Sequence, residues 1–105
     1  MEQIEAARMA ERERLRAHVR RHLARTLHEL IPHQAVIVFG SIVQMGRFHK
    51  YSDIDIALLE EPPHHSIYRL QVQLEERMQR PVDLVLLPES RLRGKIEATG
   101  EKWMN

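Results

Sequence analysis

The chain contains no cysteine, and that absence removes disulfides, thiolate metal sites and a thiol nucleophile together. No apolar run approaches the roughly 20 residues of a membrane span, and the charged amino terminus is no secretion signal. A cytoplasmic protein with no membrane partner is expected. Charge of one sign is lacking too: 16 Lys and Arg against 15 Asp and Glu leave a formal net charge of +1, which excludes strong steering of nucleic acid by overall charge. Direct nucleic-acid binding is therefore not expected, although a local basic patch keeps it open. There is no internal repeat and no low-complexity segment. At 105 residues the chain is expected to form a single domain, 1–105, with a modest core and no second lobe.

Aspartate is nearly absent as well. Surface acid is supplied by twelve glutamates, while the three aspartates fall in Ser52-Asp53-Ile54-Asp55-Ile56 and in Pro81-Val82-Asp83-Leu84-Val85-Leu86-Leu87. Aspartate is thus missing where a carboxylate is easily solvated and present where burial is unfavourable. Such a placement asks for a compensating cation. Upstream lies Phe39-Gly40-Ser41, a strand running into a Gly-Ser turn, the kind of backbone that can approach a phosphate closely.

From Ile4 to Leu30 there is no Gly or Pro and much Ala, Glu, Arg and Leu, which predicts a long helix ended by Pro32. Leu15, Val19, Leu23, Leu27 and Leu30 recur at spacings of three and four and give it one apolar face. The first fourteen residues lack that stripe, and they are expected to project, fray or pack on a partner chain, serving recognition rather than catalysis. Seven arginines between Arg8 and Arg25 face only Glu11 and Glu13, a net charge of about +5. Such a face is either solvated and ion-paired or suited to RNA phosphates or an acidic protein.

Ala35 to Phe39 reads as a buried strand, after which Ser41 can cap a short helix through Met45. Asp53 to Leu59 is a second strand, closed by Glu60-Glu61-Pro62-Pro63. Ser66 is suited to cap a helix through Met78, with Ile67, Leu70, Leu74 and Met78 inward. Pro81 opens a third strand, Val82 to Leu87, and a last helix from about Glu89 breaks at Gly100. The fold class expected is α/β (α+β): a small mixed sheet flanked by helices, with 1–31 as the amino-terminal helix and 35–100 as the core.

Alternation along a strand puts Asp53 and Asp55 on one face and Ile54 and Ile56 on the other. If the second and third strands are neighbours, Asp83 joins the pair. Carboxylates about 4 Å apart repel by on the order of 4 kcal/mol per pair at an effective dielectric of about 20. A divalent cation that prefers oxygen relieves this; Mg²⁺ takes one or two carboxylates plus substrate phosphates, and two such ions can clamp an in-line phosphoryl displacement.

Phe39-Gly40-Ser41, then Gly46-Arg47-Phe48-His49-Lys50-Tyr51-Ser52-Asp53-Ile54-Asp55-Ile56-Ala57, then Val82-Asp83-Leu84-Val85 resemble the minimal nucleotidyltransferases of the DNA polymerase beta superfamily. The resemblance runs from Val36 to about Gly100 and implies the polymerase-beta-like fold. It implies that Gly40 and Ser41 hold a nucleotide triphosphate, that Asp53 and Asp55 bind two Mg²⁺ ions, and that Asp83 completes the metal site and helps activate the attacking hydroxyl. Two departures stand out: Ile42, Val43, Gln44 and Met45 make the Gly-Ser-x-x-x-Gly spacing one residue longer, and the arginines often found there are missing. The resemblance further implies an antitoxin paired with a HEPN-domain ribonuclease, transferring AMP from ATP to a toxin tyrosine and releasing pyrophosphate. Two alternatives stand beside it. One is an antitoxin that binds and occludes without catalysis, and the other is nucleotidyl transfer to RNA or a small molecule.

The remaining polar residues allow two readings each. Arg47 and Lys50 can bind triphosphate oxygens or lie solvated in their loop, and Ser52 can meet phosphate, orient Asp53 or cap a turn. His18 and His22, four apart on the helix, have chelating spacing but no third ligand in view. His64 and His65 read as loop residues that could reach a base.

Overall fold

Twenty-nine residues uninterrupted by glycine or proline form one helix, α1 (Glu2–Leu30). The computed structural model describes Glu2 to Asn105, with side-chain surroundings from Gln3 onward. At 1.5 Å per residue α1 is about 44 Å long, which accounts for most of the molecule's 50 Å long axis. Its expected stripe is the buried one: Val19, Leu23, Leu27 and, just beyond the helix, Ile31 are buried, with Leu15 and Leu30 packed beside them.

Four strands form one mixed sheet in the order β3-β2-β1-β4, from β1 (Ala35–Phe39), β2 (Ile54–Leu58), β3 (Val82–Leu86) and β4 (Glu101–Met104). β1 runs antiparallel to β2 and β4, and β2 runs parallel to β3. The parallel pair is joined through α2 (Ile67–Met78), capped as expected by the Ser66 hydroxyl, which accepts from the Arg69 N–H at 3.1 Å.

One face of the sheet carries the main core. Val36, Val38, Ile54, Ile56, Leu58, Val82 and Leu84 meet the inner faces of α1 and α2 there, and each such side chain contributes about 1.5–3 kcal/mol by leaving water. The opposite face is only partly covered. Ile37, Ala57 and Leu87 pack under Ile96 of the short helix α3 (Arg93–Thr99). The strand residues nearer Asp55 on that face remain open to a cleft.

Three expectations need correction. Ser41 caps no helix: Gly40–Val43 is a single 3-10 turn entered from extended Phe39 without a side-chain cap. The last helix does not begin near Glu89; Leu87–Glu89 form a 3-10 turn, with Pro88 fixing the chain, and α3 starts at Arg93. The chain past Gly100 is a strand that the sequence did not announce. It pairs Val36 with Trp103 and Val38 with Glu101 at the sheet edge.

Candidate active site

Register decides where the carboxylates lie. Asp55 and Asp83 are direct partners across the parallel strands β2 and β3, and Phe39 is the partner of Asp55 on the other side. Strand alternation turns Ile54 and Ile56 fully into the core, so Asp55 faces away from it, into a cleft of about 330 Å³ that it shares with Phe39, Gly40, Gln44, Asp83 and residues of α3.

Gly40 is where the chain needs glycine. Its φ is +79°, and a Cβ there would lie 2.1 Å from Asp55 Oδ2. The backbone of the Gly-Ser turn therefore passes against the carboxylate with no room for a side chain, and the 3-10 turn that follows is anchored by buried Ile42. Burial, then the charge of Asp83, then that of Asp53 push the Asp55 carboxyl up to about 6. Asp53 is exposed at the entrance to β2, close enough for its charge to act on both Asp55 and Arg80.

The donor set suits an oxygen-preferring divalent cation: hard carboxylate oxygens held near one another, one of them under repulsion that a cation would relieve. Among the described residues no three His, Cys, Asp or Glu side chains form a ready-made metal cage. Mg²⁺ does not need one, since it completes its shell with water and substrate phosphate.

The other residues singled out by the sequence are not gathered into this cleft. Ser41 is half-buried within the 3-10 turn. Ser52 is buried and its hydroxyl accepts from the His49 N–H at 2.9 Å, closing the turn ahead of Asp53. Arg47 is exposed, and Lys50 lines a separate groove with Arg8, Arg12 and His49 against α1. His65 lines a depression with Glu61 and Ser66. Burial and the nearby Arg25, Arg77 and His18 hold His22 below its usual value.

Three contributions were not foreseen. Arg80 donates to the carbonyls of Ser52 at 2.7 Å and His49 at 3.4 Å and lies over the buried Phe48 ring at 4.7 Å, so it holds the turn that delivers Asp53. Lys95 and Thr99 of α3 line the carboxylate cleft, and Lys95 brings a cation to it. Their spacing of four, on a helix just after the third aspartate strand, was the available signal. The first half of α1 also reaches this region: Glu13 accepts from the Gly46 N–H at 2.9 Å and Arg12 donates to the Gly46 carbonyl at 3.2 Å. Around Met9, Arg12 and Glu13 this half packs on the loop that follows the Gly-Ser turn.

The family described as "Polymerase beta, Nucleotidyltransferase" matches residues 22–103. Among solved structures, one described as "Crystal structure of the toxin-antitoxin with AMP-PNP" is similar at 30% sequence identity and a TM-score of 0.60, over 77% of this chain and 69% of that one. No curated protein matches.

Proposed function

The chain belongs to the nucleotidyltransferases of the polymerase beta family, and on that premise we propose that it is a Mg²⁺-dependent antitoxin that transfers AMP from ATP to a tyrosine of a HEPN ribonuclease toxin. The observation that carries the reading is the contact of Gly40 with Asp55 opposite Asp83. A phosphate-accessible turn and a repelled carboxylate pair share one open cleft. The similar structure with AMP-PNP is described as a toxin-antitoxin, which supports both a nucleotide and a protein partner for this chain.

In this reading Gly40 and Ser41 offer backbone to the triphosphate, and Asp53 and Asp55 hold the metal ions, with Asp83 on the acceptor side. Bound Mg²⁺ supplies charge neutralisation at the α-phosphate and at the leaving pyrophosphate. Asp55 must give up the proton that it binds near pH 6 before it can act as a ligand. Asp83, beside it across the parallel strands, takes the proton of the attacking tyrosine hydroxyl. The new bond joins that oxygen to the α-phosphorus as the bond to the bridging oxygen breaks and pyrophosphate departs. Lys95, which lines that cleft, would meet phosphate charge from the α3 wall, while Arg47 and Lys50 lie outside it and Ser52 closes the turn that delivers Asp53. A protein with this activity would work in the cytoplasm, where ATP is at hand.

The test is to incubate the chain with the product of the neighbouring gene, Mg²⁺ and each NTP in turn, and to weigh both proteins intact. AMP on the partner, from ATP in preference to the other three, supports the proposal. A partner that is inhibited but unmodified with every nucleotide points to occlusion instead, and an adduct on RNA to a different acceptor.

A further inference from the structure

The loop from Gly40 to Gly46 is gripped from outside. Both backbone polar groups of Gly46 are bonded by consecutive residues of α1: its N–H donates to Glu13 Oε2 at 2.9 Å, and its carbonyl accepts from Arg12 Nη1 at 3.2 Å. One turn further along α1, Arg16 Nη1 donates to the Ile42 carbonyl at 3.0 Å while its Nε and Nη2 hold Glu13 at 3.0–3.2 Å. Arg20 Nη1 reaches the same carbonyl at 3.4 Å. Gly46 itself adopts φ +78°, and a Cβ there would sit 2.7 Å from the Met9 sulfur. Arg16 and the Gly46 amide hold the Glu13 carboxyl below the usual carboxylate range, as expected for a carboxylate that accepts charge-assisted bonds.

These bonds fix both ends of the Ile42–Met45 stretch, the stretch that is one residue longer than the usual spacing and has no arginine of its own. The family match begins at residue 22, and Arg12, Glu13, Arg16 and Arg20 all precede it. A lengthened loop has more conformations to lose on ordering, and α1 supplies the constraint from a distance of about 30 residues in sequence.

We infer that Glu13, together with Arg12 and Arg16, is a positioning residue for the nucleotide loop: α1 sets the backbone from Ile42 to Gly46 so that the Gly40-Ser41 turn faces a triphosphate. A partner that shifts α1 would thereby alter nucleotide affinity. The inference rests on the reading of Gly40-Ser41 as the triphosphate site.

Its test compares the full chain with Glu13→Ala, Glu13→Gln and Arg12→Ala variants, Arg12→Ala serving should Glu13→Ala not fold. Two affinities are measured for each: Mn²⁺ alone, by water-proton relaxation, and AMP-PNP in the presence of Mg²⁺, by titration. Glu13→Ala should weaken AMP-PNP at least tenfold while Mn²⁺ affinity stays within about twofold, and Glu13→Gln, which can still accept from Gly46, should recover part of the loss. Unchanged AMP-PNP affinity in Glu13→Ala and Arg12→Ala overturns the inference and leaves the proposed function standing. A parallel fall of both affinities also overturns it, because the clamp would then be merely structural. A wild-type chain that binds neither probe overturns the proposed function and this inference with it.

Discussion

Gly40 and Asp55 make the site at the scale of single residues, one by having no side chain and the other by having a carboxyl that is hard to ionise. Replacing Gly40 by Ala puts a methyl 2.1 Å from Asp55 Oδ2 at a φ of +79°. The left-handed backbone alone costs about 1–2 kcal/mol for a residue with a Cβ, so urea denaturation should show a loss of at least about 2 kcal/mol, and nucleotide binding should vanish as Asp55 is displaced. Asp55 gives a pH prediction. Its folded value near 6 lies above the ordinary one, so between about pH 4 and 6 the folded protein binds more protons than the unfolded chain. Its contribution to stability therefore falls as pH rises through that window. Asp55→Asn should be more stable than wild type by about 1 kcal/mol at pH 7 in EDTA, after allowance for solvent screening of a half-buried group, and the advantage should fade toward pH 4. Paired melting curves across pH check this; an advantage that grows on acidification contradicts it.

At the scale of elements, β4 and α1 give the core more than their composition promised. Trp103 packs from β4 against the main core, its indole N–H donates to Glu101 at 3.1 Å, and Arg20 lies 5.3 Å above its ring while bonding the same Glu101 at 2.8 Å. Trp103→Ala should lose about 2–4 kcal/mol, read by urea denaturation with circular dichroism; a loss below about 1 kcal/mol would show that the edge strand is a passive attachment. The outer side of α1 has a different use. Arg14, Arg21 and Arg25 are exposed and form no ion pair among the described residues, whereas Arg16 and Arg20 are committed inward. Changing those three to Gln should weaken partner association, most at low salt, with AMP-PNP affinity unchanged; titrations at two ionic strengths decide it. The contrast shows what the sequence could reveal. β1 was legible as an unbroken apolar run, β3 as an apolar run broken only by Asp83, and α2 by its Ser66 cap, while strand period put Asp55 and Asp83 on one face once β2 and β3 were neighbours. β4 was not, since only Trp103 marks four residues as a strand, and its pairing with β1 is what makes it one. Nor could a local pattern reveal that Glu13 would meet Gly46, or that Arg80 would brace the turn before Asp53. Those are contacts between distant segments.

For the whole molecule, the sheet divides the work between its faces. Three of its strands bury Val36, Val38, Ile54, Ile56, Leu58, Val82 and Leu84 against two helices, which gives β2 and β3 the rigidity to hold two carboxylates in direct register against their repulsion. The other face is left partly open to the cleft beside Asp55, and no helix among the described residues is long and apolar enough to cross a membrane. The chain has the polymerase-beta-like nucleotidyltransferase fold, and the function proposed for it makes this open face a metal-nucleotide site. The measurement that tests it most directly is four melting curves at pH 7: wild type and Asp55→Asn, each in EDTA and each with Mg²⁺ plus AMP-PNP. In EDTA the Asn variant should melt at or above wild type. With ligand the order should invert, because a ligand stabilises only the form that binds it, by roughly 2.7 kcal/mol at a hundredfold excess over Kd. If the Asn variant melts well below wild type in EDTA and both gain equally from Mg²⁺ and AMP-PNP, the aspartates are structural and the cleft is not the nucleotide site.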